Sequence, residues 1–435
     1  MPSCTLKMTR IKPFKAVYYN QEKAGELSKV ACPPYDVISA AEQEYYHKLD
    51  PHNFIRLLLG RDTAGEDKYR RAGLLFNDWL KERILIQDTR PAIYFYSQQY
   101  NLKGENKTRL GFIALLRLGD QGSSVYGHEH TRIEAKEDRL NIIRNVNANL
   151  SPIFIVSRDH KRIIRRVFEQ QIKNAAPFLQ ATDNEKTTHK VWKIDSPEVL
   201  RLIEGAMQDE DAFIADGHHR YEVSCAYRDQ IKEKLGAKFS EEASFNYTLA
   251  YFTSSDQHGL SILPIHRLLR LHKPLDLDDF LAGLKRYFDV EEVKDKTRFF
   301  FLMEKGGLSE HLLGMYKDKR YWLLRLKNVN ILDKLIGDKP REYRILDVSI
   351  LNHIVFKDIL GYDSAKSNDI QYSPNADELI AGQDSEPLSV AFFLNPVKMG
   401  QIVAVALNGN KMPAKSTYFY PKVLSGLVVH KHEEI

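Results

Sequence analysis

Cysteine is scarce. Cys4, Cys32 and Cys225 are the only three in 435 residues, widely separated and without a Cys-x-x-Cys pair. That spacing argues against a disulfide framework or a cysteine zinc site and suits a reducing compartment. Long apolar runs are missing as well. The longest, such as Leu388 to Leu394, are strand-sized, whereas a membrane span needs roughly 18 apolar residues. The N-terminal run MPSCTLKMTRIKPFKAVYYN is basic but has no apolar stretch of the signal-peptide kind. A soluble, cytoplasmic chain with no membrane partner is expected. One-sided charge is also lacking: the net charge is +5 with both signs spread along the sequence. No nucleic-acid arm stands out, and a mildly basic balance suits small anionic substrates equally well. There is no Walker A run, no protein-kinase glycine loop, no internal repeat and no heptad pattern.

What is present is the composition of an ordinary globular protein, 43% hydrophobic and 28% charged, with length for two or three packed units. Strands and helices mix without regular βαβ alternation, so an α+β fold is expected, with mixed, mainly antiparallel sheets. Ser39 reads as the cap of a helix containing Glu42 to Leu49, and Asp67 to Leu85 as an amphipathic helix. Ala92 to Tyr100 and Leu110 to Leu118 read as a hairpin. Phe245 to Phe252 and Leu260 to His266 read as a strand pair, and Arg298 to Met303 as the first strand of a meander. Polar seams near Glu185 and Pro274 divide the chain into 1–185, 186–273 and 274–435.

Three clusters could carry chemistry. The first is DAFIADGHHRYE, Asp211 to Glu222. An apolar strand breaks at Gly217 and runs into a helix whose Val223, Tyr227, Ile231 and Leu235 recur every four residues. Helix starts leave N–H groups unpaired and carry partial positive charge, so they suit anions. Gly217 permits close approach of a ligand, Arg220 offers a planar fork for phosphate oxygens, and His218 and His219 titrate near neutral pH.

The second cluster is GHEHT, Gly127 to Thr131. In an extended segment His128 and His130 would share one face and Glu129 the other. Glu129 could be a general base, a metal ligand or a surface residue. Its histidines are not spaced as in a helical metalloprotease motif. The third cluster is KMPAKSTYFYPK, Lys411 to Lys422. Lys415, Ser416 and Thr417 supply one charge and two hydroxyls, a set that suits phosphate or carboxylate; a polar turn before a strand is the plain alternative. Phosphoryl transfer requires such parts: cations around the moving group and a carboxylate that orients the nucleophile.

The runs PPYDVIS, HExT, DRL, ANLSPIF, ADGHHRYE and MPxKSTYFYPK resemble, over nearly the whole chain, a family long catalogued as a domain of unknown function. The order His128–Glu129, Asp216 to Arg220, Lys415–Ser416–Thr417 is similar to that of free-serine kinases in the ParB/sulfiredoxin-like superfamily. Tyr126 and Gly127 depart from that pattern, in which a proline precedes the His-Glu run. The resemblance implies a ParB/sulfiredoxin-like kinase core with large additional segments. It also implies transfer of a phosphoryl group from pyrophosphate, or from ADP or ATP, to free L-serine with Mg²⁺. Glu129 would accept the serine hydroxyl proton, with Asp216 and His218 in the catalytic set and Asp216 reaching Mg²⁺. Gly217, His219, Arg220, Lys415, Ser416 and Thr417 would hold phosphate, while His128, Thr131, Asp36, Arg56 and Arg139 are candidates for holding serine. A monomer or homodimer is expected. The rival readings are a metal-dependent phosphohydrolase built on His128, His130, His218 and His219, and a ParB-like nucleic-acid binder.

Overall fold

The computed structural model describes residues 8–119, 123–131, 133–363 and 369–433. The chain forms two compact units. The first comprises Met1–Gly127, Thr131–Ser261 and Pro421–Ile435; the second comprises His128–His130 and Ile262–Tyr420. The expected three consecutive regions are not what forms. The seam near Glu185 fails because Leu179–Thr182 and Thr188–Ile194 pair as antiparallel strands across it, with Thr182 opposite Thr188. The second division comes at Ser261 rather than Pro274, and the last segment returns to the first unit.

The first unit is built on a nine-stranded sheet among the described residues. Across the sheet the strands run Val125–Gly127, Ala212–Asp216, Ile153–Ser157, Tyr247–Ser254, Glu105–Arg117, Ile93–Leu102, Thr188–Ile194 and Leu179–Thr182, with Ile11–Lys12 also on the long central strand. Ile93–Leu102 and Glu105–Arg117 are the expected hairpin, in register from Tyr94–Ile113 to Leu102–Glu105. Two pairings are parallel: Ala212–Asp216 with Val125–Gly127, and Tyr247–Ser254 with Ile153–Ser157. The others are antiparallel. The expectation of mixed, mainly antiparallel sheets holds. The core is aromatic and β-branched: Phe112 stacks on Phe252 at 5.1 Å, and Ile153, Ile155 and Ile214 are buried with them. Each such side chain contributes about 1.5–3 kcal/mol by leaving water.

The second unit carries an antiparallel six-stranded sheet in the order Phe288–Val293, Arg320–Leu326, Leu312–Lys317, Ser389–Phe393, His266–Arg270 and Ile370–Ser373. The Leu260 to His266 stretch forms only the short strand Ser261–Leu263 before His266 opens the next, and neither lies in the sheet of Tyr247–Ser254, so the expected strand pair does not form. Arg298 to Met303 is helical, within Lys296–Gly306. Asp295 caps that helix by accepting from the Arg298 N–H at 2.7 Å. Phe299 and Met303, one turn apart, enter the core against Leu312 and Phe393. The β-prone run of three phenylalanines yields to cap and packing.

Candidate functional site in the first unit and lysine–hydroxyl loop in the second

Within the first unit, the Ala212–Asp216 strand ends in a bulge. Ile214 is opposite Ile155 and Asp216 opposite Phe154, so one extra residue is taken up between them. Bulges re-aim side chains at strand ends, and Asp216 is the side chain re-aimed here. Gly127, the residue before the HEHT run, is opposite Ile214 on the neighbouring parallel strand. Gly217 follows Asp216 with φ +89°, a left-handed conformation that a side chain would strain. A Cβ at that position would also come within 2.9 Å of the Arg220 guanidinium carbon. Glycine is thus required twice, for the turn and for the arginine stacked on it. The helix His218–Leu235 begins immediately. Val223, Tyr227 and Ile231 are buried against Ile143 and Phe245, with Leu235 packed alongside, as the four-residue spacing predicted.

Asp216 sits between two cations. Arg220 Nη2 donates to Oδ2 at 2.5 Å, and Lys422 Nζ donates to Oδ1 at 2.5 Å. Side-chain exposure is only 15% for Asp216, 10% for Arg220 and 12% for Lys422. Burial alone would raise the Asp216 carboxyl. Lys422 and Arg220 outweigh it and hold the group well below the usual carboxylate range, with His218 adding to the same field. Arg220 also donates through Nη1 to the Pro152 carbonyl. Asp216 and Asp36 raise its own value against the opposing effect of burial, the largest influence.

Sequence reasoning missed Lys422. It closes the KMPAKSTYFYPK run, and Lys–Pro context alone gave no reason to separate it from Lys415. Its backbone is fixed by a buried brace: Gln98 Nε2 donates to the Lys422 carbonyl at 2.7 Å and Arg109 to the Pro421 carbonyl at 2.5 Å. Arg109 also donates to Gln98 Oε1 and lies over the Phe154 ring at 4.5 Å.

The remaining first-unit candidates divide. Asp36 and Tyr35 lie in the field of Arg220; burial, then Asp36, pushes the Tyr35 hydroxyl up to about 12. Arg139 covers the Tyr35 ring at 4.1 Å, donates to the Leu58 carbonyl at 2.9 Å, and pairs with Asp138. Arg56 instead donates to the His47 carbonyl at 2.8 Å, a contact that closes the Ala40–Leu49 helix end. Thr131 donates to Glu222 at 2.6 Å, and Lys136 joins the same carboxylate at 3.2 Å. Cys225, on the same helix as Glu222, is half-buried, and burial pushes its thiol up to about 11.

The Val125–Gly127 strand of the first unit ends before His128, so the expected alternation of His128 and His130, in the second unit, does not apply. His128 is buried, Glu129 half-buried and His130 exposed. The His128 carbonyl accepts from the Met412 N–H at 2.7 Å, and its Nε2 is 3.2 Å from Thr417 Oγ1. The HEHT run and the KST loop are thereby joined. Lys415 adopts φ +55° and is exposed. Ser416 donates to the Pro413 carbonyl at 2.5 Å. Arg267, 1% exposed, donates to the Lys415 carbonyl at 3.1 Å and the Ile265 carbonyl at 2.6 Å.

Magnesium does not fit Asp216 as arranged, since both carboxylate oxygens already accept from cations. Among the described residues no group of three His, Cys, Asp or Glu side chains could hold a metal ion. Among them, too, no helix is long and apolar enough to cross a membrane.

A family described as a protein of unknown function, DUF1015, matches residues 11–349 by sequence. The chain belongs to this family. No curated protein matches the DUF1015 chain. Among solved structures, a free serine kinase mutant in complex with ADP is similar at 11% identity and TM-score 0.33, covering 68% of this chain and 84% of that one. SbnI with a C-terminal truncation, from Staphylococcus aureus, is similar at 12% and 0.35, covering 72% and 85%. A conserved hypothetical protein from Pyrococcus furiosus gives 12% and 0.32, covering 69% and 89%. These are remote likenesses.

Proposed function

We propose that this DUF1015 protein is a small-molecule kinase that transfers a phosphoryl group from inorganic pyrophosphate to the hydroxyl of free L-serine, giving O-phospho-L-serine. The observation that carries the reading is the Asp216–Arg220–Lys422 cluster at a helix start opened by a left-handed glycine. Two cations against one carboxylate leave surplus positive charge beside helix N–H groups, an arrangement that favours phosphate oxygens. Asp216 acts by orienting Arg220 and Lys422, and His218 and His219 stand in the same first turn. Lys415, Ser416 and Thr417 supply a further cation and hydroxyls for phosphate.

Glu129 takes the role of the carboxylate that accepts the serine hydroxyl proton and directs the oxygen at phosphorus. Mg²⁺ belongs in this reading as the counter-ion of the donor phosphates, keeping most of its waters, rather than as a ligand of Asp216. ADP and ATP are the alternative donors.

The test is Glu129→Gln, which keeps the shape and removes the base. Phosphoserine formation, followed by mass spectrometry, should fall at least about a hundredfold with an unchanged unfolding transition. Near-normal turnover would remove Glu129 from this role.

A further inference from the structure

Behind Lys422, wholly within the first unit, one buried row of the large sheet is polar. His189, Gln98 and Arg109 stand opposite one another on three adjacent strands, and none is more than 1% exposed. Apolar side chains would pack such a face at less cost, because a buried polar group or charge needs partners. All three are directed at the same four residues, 421–424. Gln98 donates to the Lys422 carbonyl at 2.7 Å, and Arg109 donates to the Pro421 carbonyl at 2.5 Å and to Gln98 itself. His189 acts through Tyr96. Asp183 accepts from His189 Nε2 at 3.0 Å, which leaves Nδ1 to accept from the Tyr96 hydroxyl at 2.6 Å. The Leu424 backbone hydrogen-bonds the same hydroxyl.

Of the four residues held, only Lys422 carries a polar side chain, and its ammonium is the one on Asp216. Arg109 also reaches the other side of that pair. Its guanidinium covers the ring of Phe154 at 4.5 Å, and Phe154 stands opposite Asp216 in the sheet. Buried hydrogen-bond networks rigidify what they hold, and a group misplaced by about 1 Å can cost a site about a hundredfold.

We infer that Gln98 and Arg109 are positioning residues, which fix Lys422 against Asp216 and thereby set the grip of this cluster on the phosphoryl donor. The identity of the donor rests on the kinase reading. The hold on Lys422 does not.

Gln98→Glu separates the two. It leaves Arg109 an acceptor and takes away the N–H that holds the Lys422 carbonyl. Acylation of lysines on the full chain, read peptide by peptide by mass spectrometry, reports how well Lys422 is held. In the variant Lys422 should react at least about fivefold faster. Lys193, which pairs with Asp88 at 2.6 Å outside the row, should stay within about twofold and serves as the control. Pyrophosphate affinity, by calorimetry with Mg²⁺, should weaken by at least about fivefold. Should Gln98→Glu not fold, Gln98→Met, of similar length and uncharged, carries the same test. Unchanged acylation of Lys422 in a folded variant would overturn the inference, even with pyrophosphate binding weakened. Acceleration at Lys193 as large as at Lys422 would overturn it too, since the row would then support the sheet in general. Faster acylation of Lys422 alone with unchanged pyrophosphate affinity would keep the hold on Lys422 and count against pyrophosphate at this cluster.

Discussion

Each unit buries an arginine, and the two are neutralised by different means. In the first, Arg220 is paired with Asp216, which Lys422 holds from its other oxygen. In the second, Arg267 is 1% exposed and pairs with no carboxylate among the described residues. It has two backbone carbonyls and the face of Tyr372, 5.5 Å away. The consequence is visible in their proton affinities. Burial lowers both, but Asp216 and Asp36 more than restore Arg220, whereas Arg267 is left at about 10. A buried charge without a counter-charge is costly. Its position explains why it is kept: it grips the carbonyl of Lys415, a residue already held in the left-handed region. The first arrangement stores charge in a closed network, and the second directs it at a loop.

The largest effect should come from breaking the closed network. Asp216→Ala removes the carboxylate with which both Arg220 and Lys422 pair, and should cost about 3–5 kcal/mol in urea unfolding. A loss below about 1 kcal/mol would mean the cluster is open to solvent. Arg267→Met is the matching change in the second unit. Two charge-assisted hydrogen bonds are lost, but so is the desolvation of an unpaired cation, and stability should stay within about 2 kcal/mol of the parent. Pyrophosphate affinity should nevertheless drop several-fold as Lys415 loses its brace, with Arg267→Lys recovering part of it. A collapse as large as that of Asp216→Ala would erase the contrast.

The smallest effect is a proton. His266 is lowered from 6.5 to about 3, first by burial and then by Arg267, and it accepts the Leu394 N–H at 3.2 Å. Between about pH 3 and 6.5 the unfolded chain binds a proton that the folded one does not. This group's stability contribution is therefore complete above that window and falls with pH inside it. His266→Asn should remove about one proton of uptake on unfolding, a slope near 1.4 kcal/mol per pH unit. The Asp216 carboxylate keeps its charge through the same window, being held below the usual range.

Much of this was legible in the chain. The helix cap at Ser39, the four-residue stripe after Gly217 and the hairpin of Ile93–Leu102 with Glu105–Arg117 are local devices, and local chemistry announces them. Long-range partnership is not local. Nothing in an alternating run says whether Tyr247–Ser254 pairs with its sequence neighbour or, as found, with Glu105–Arg117 and Ile153–Ser157. For the same reason Asp216, Gly217 and Arg220 could be marked from the motif while Lys422, 206 residues away, could not. Arg267 left even less trace, since a lone arginine in a strand reads as surface.

The central claim is phosphoryl transfer to serine, and phosphorus NMR tests it most directly. Purified protein with L-serine, Mg²⁺ and pyrophosphate should give an O-phosphoserine resonance matched by orthophosphate, and the same protein with ADP or ATP should give less. Pyrophosphate consumed to orthophosphate alone, or no turnover with any of the three donors, would contradict the account.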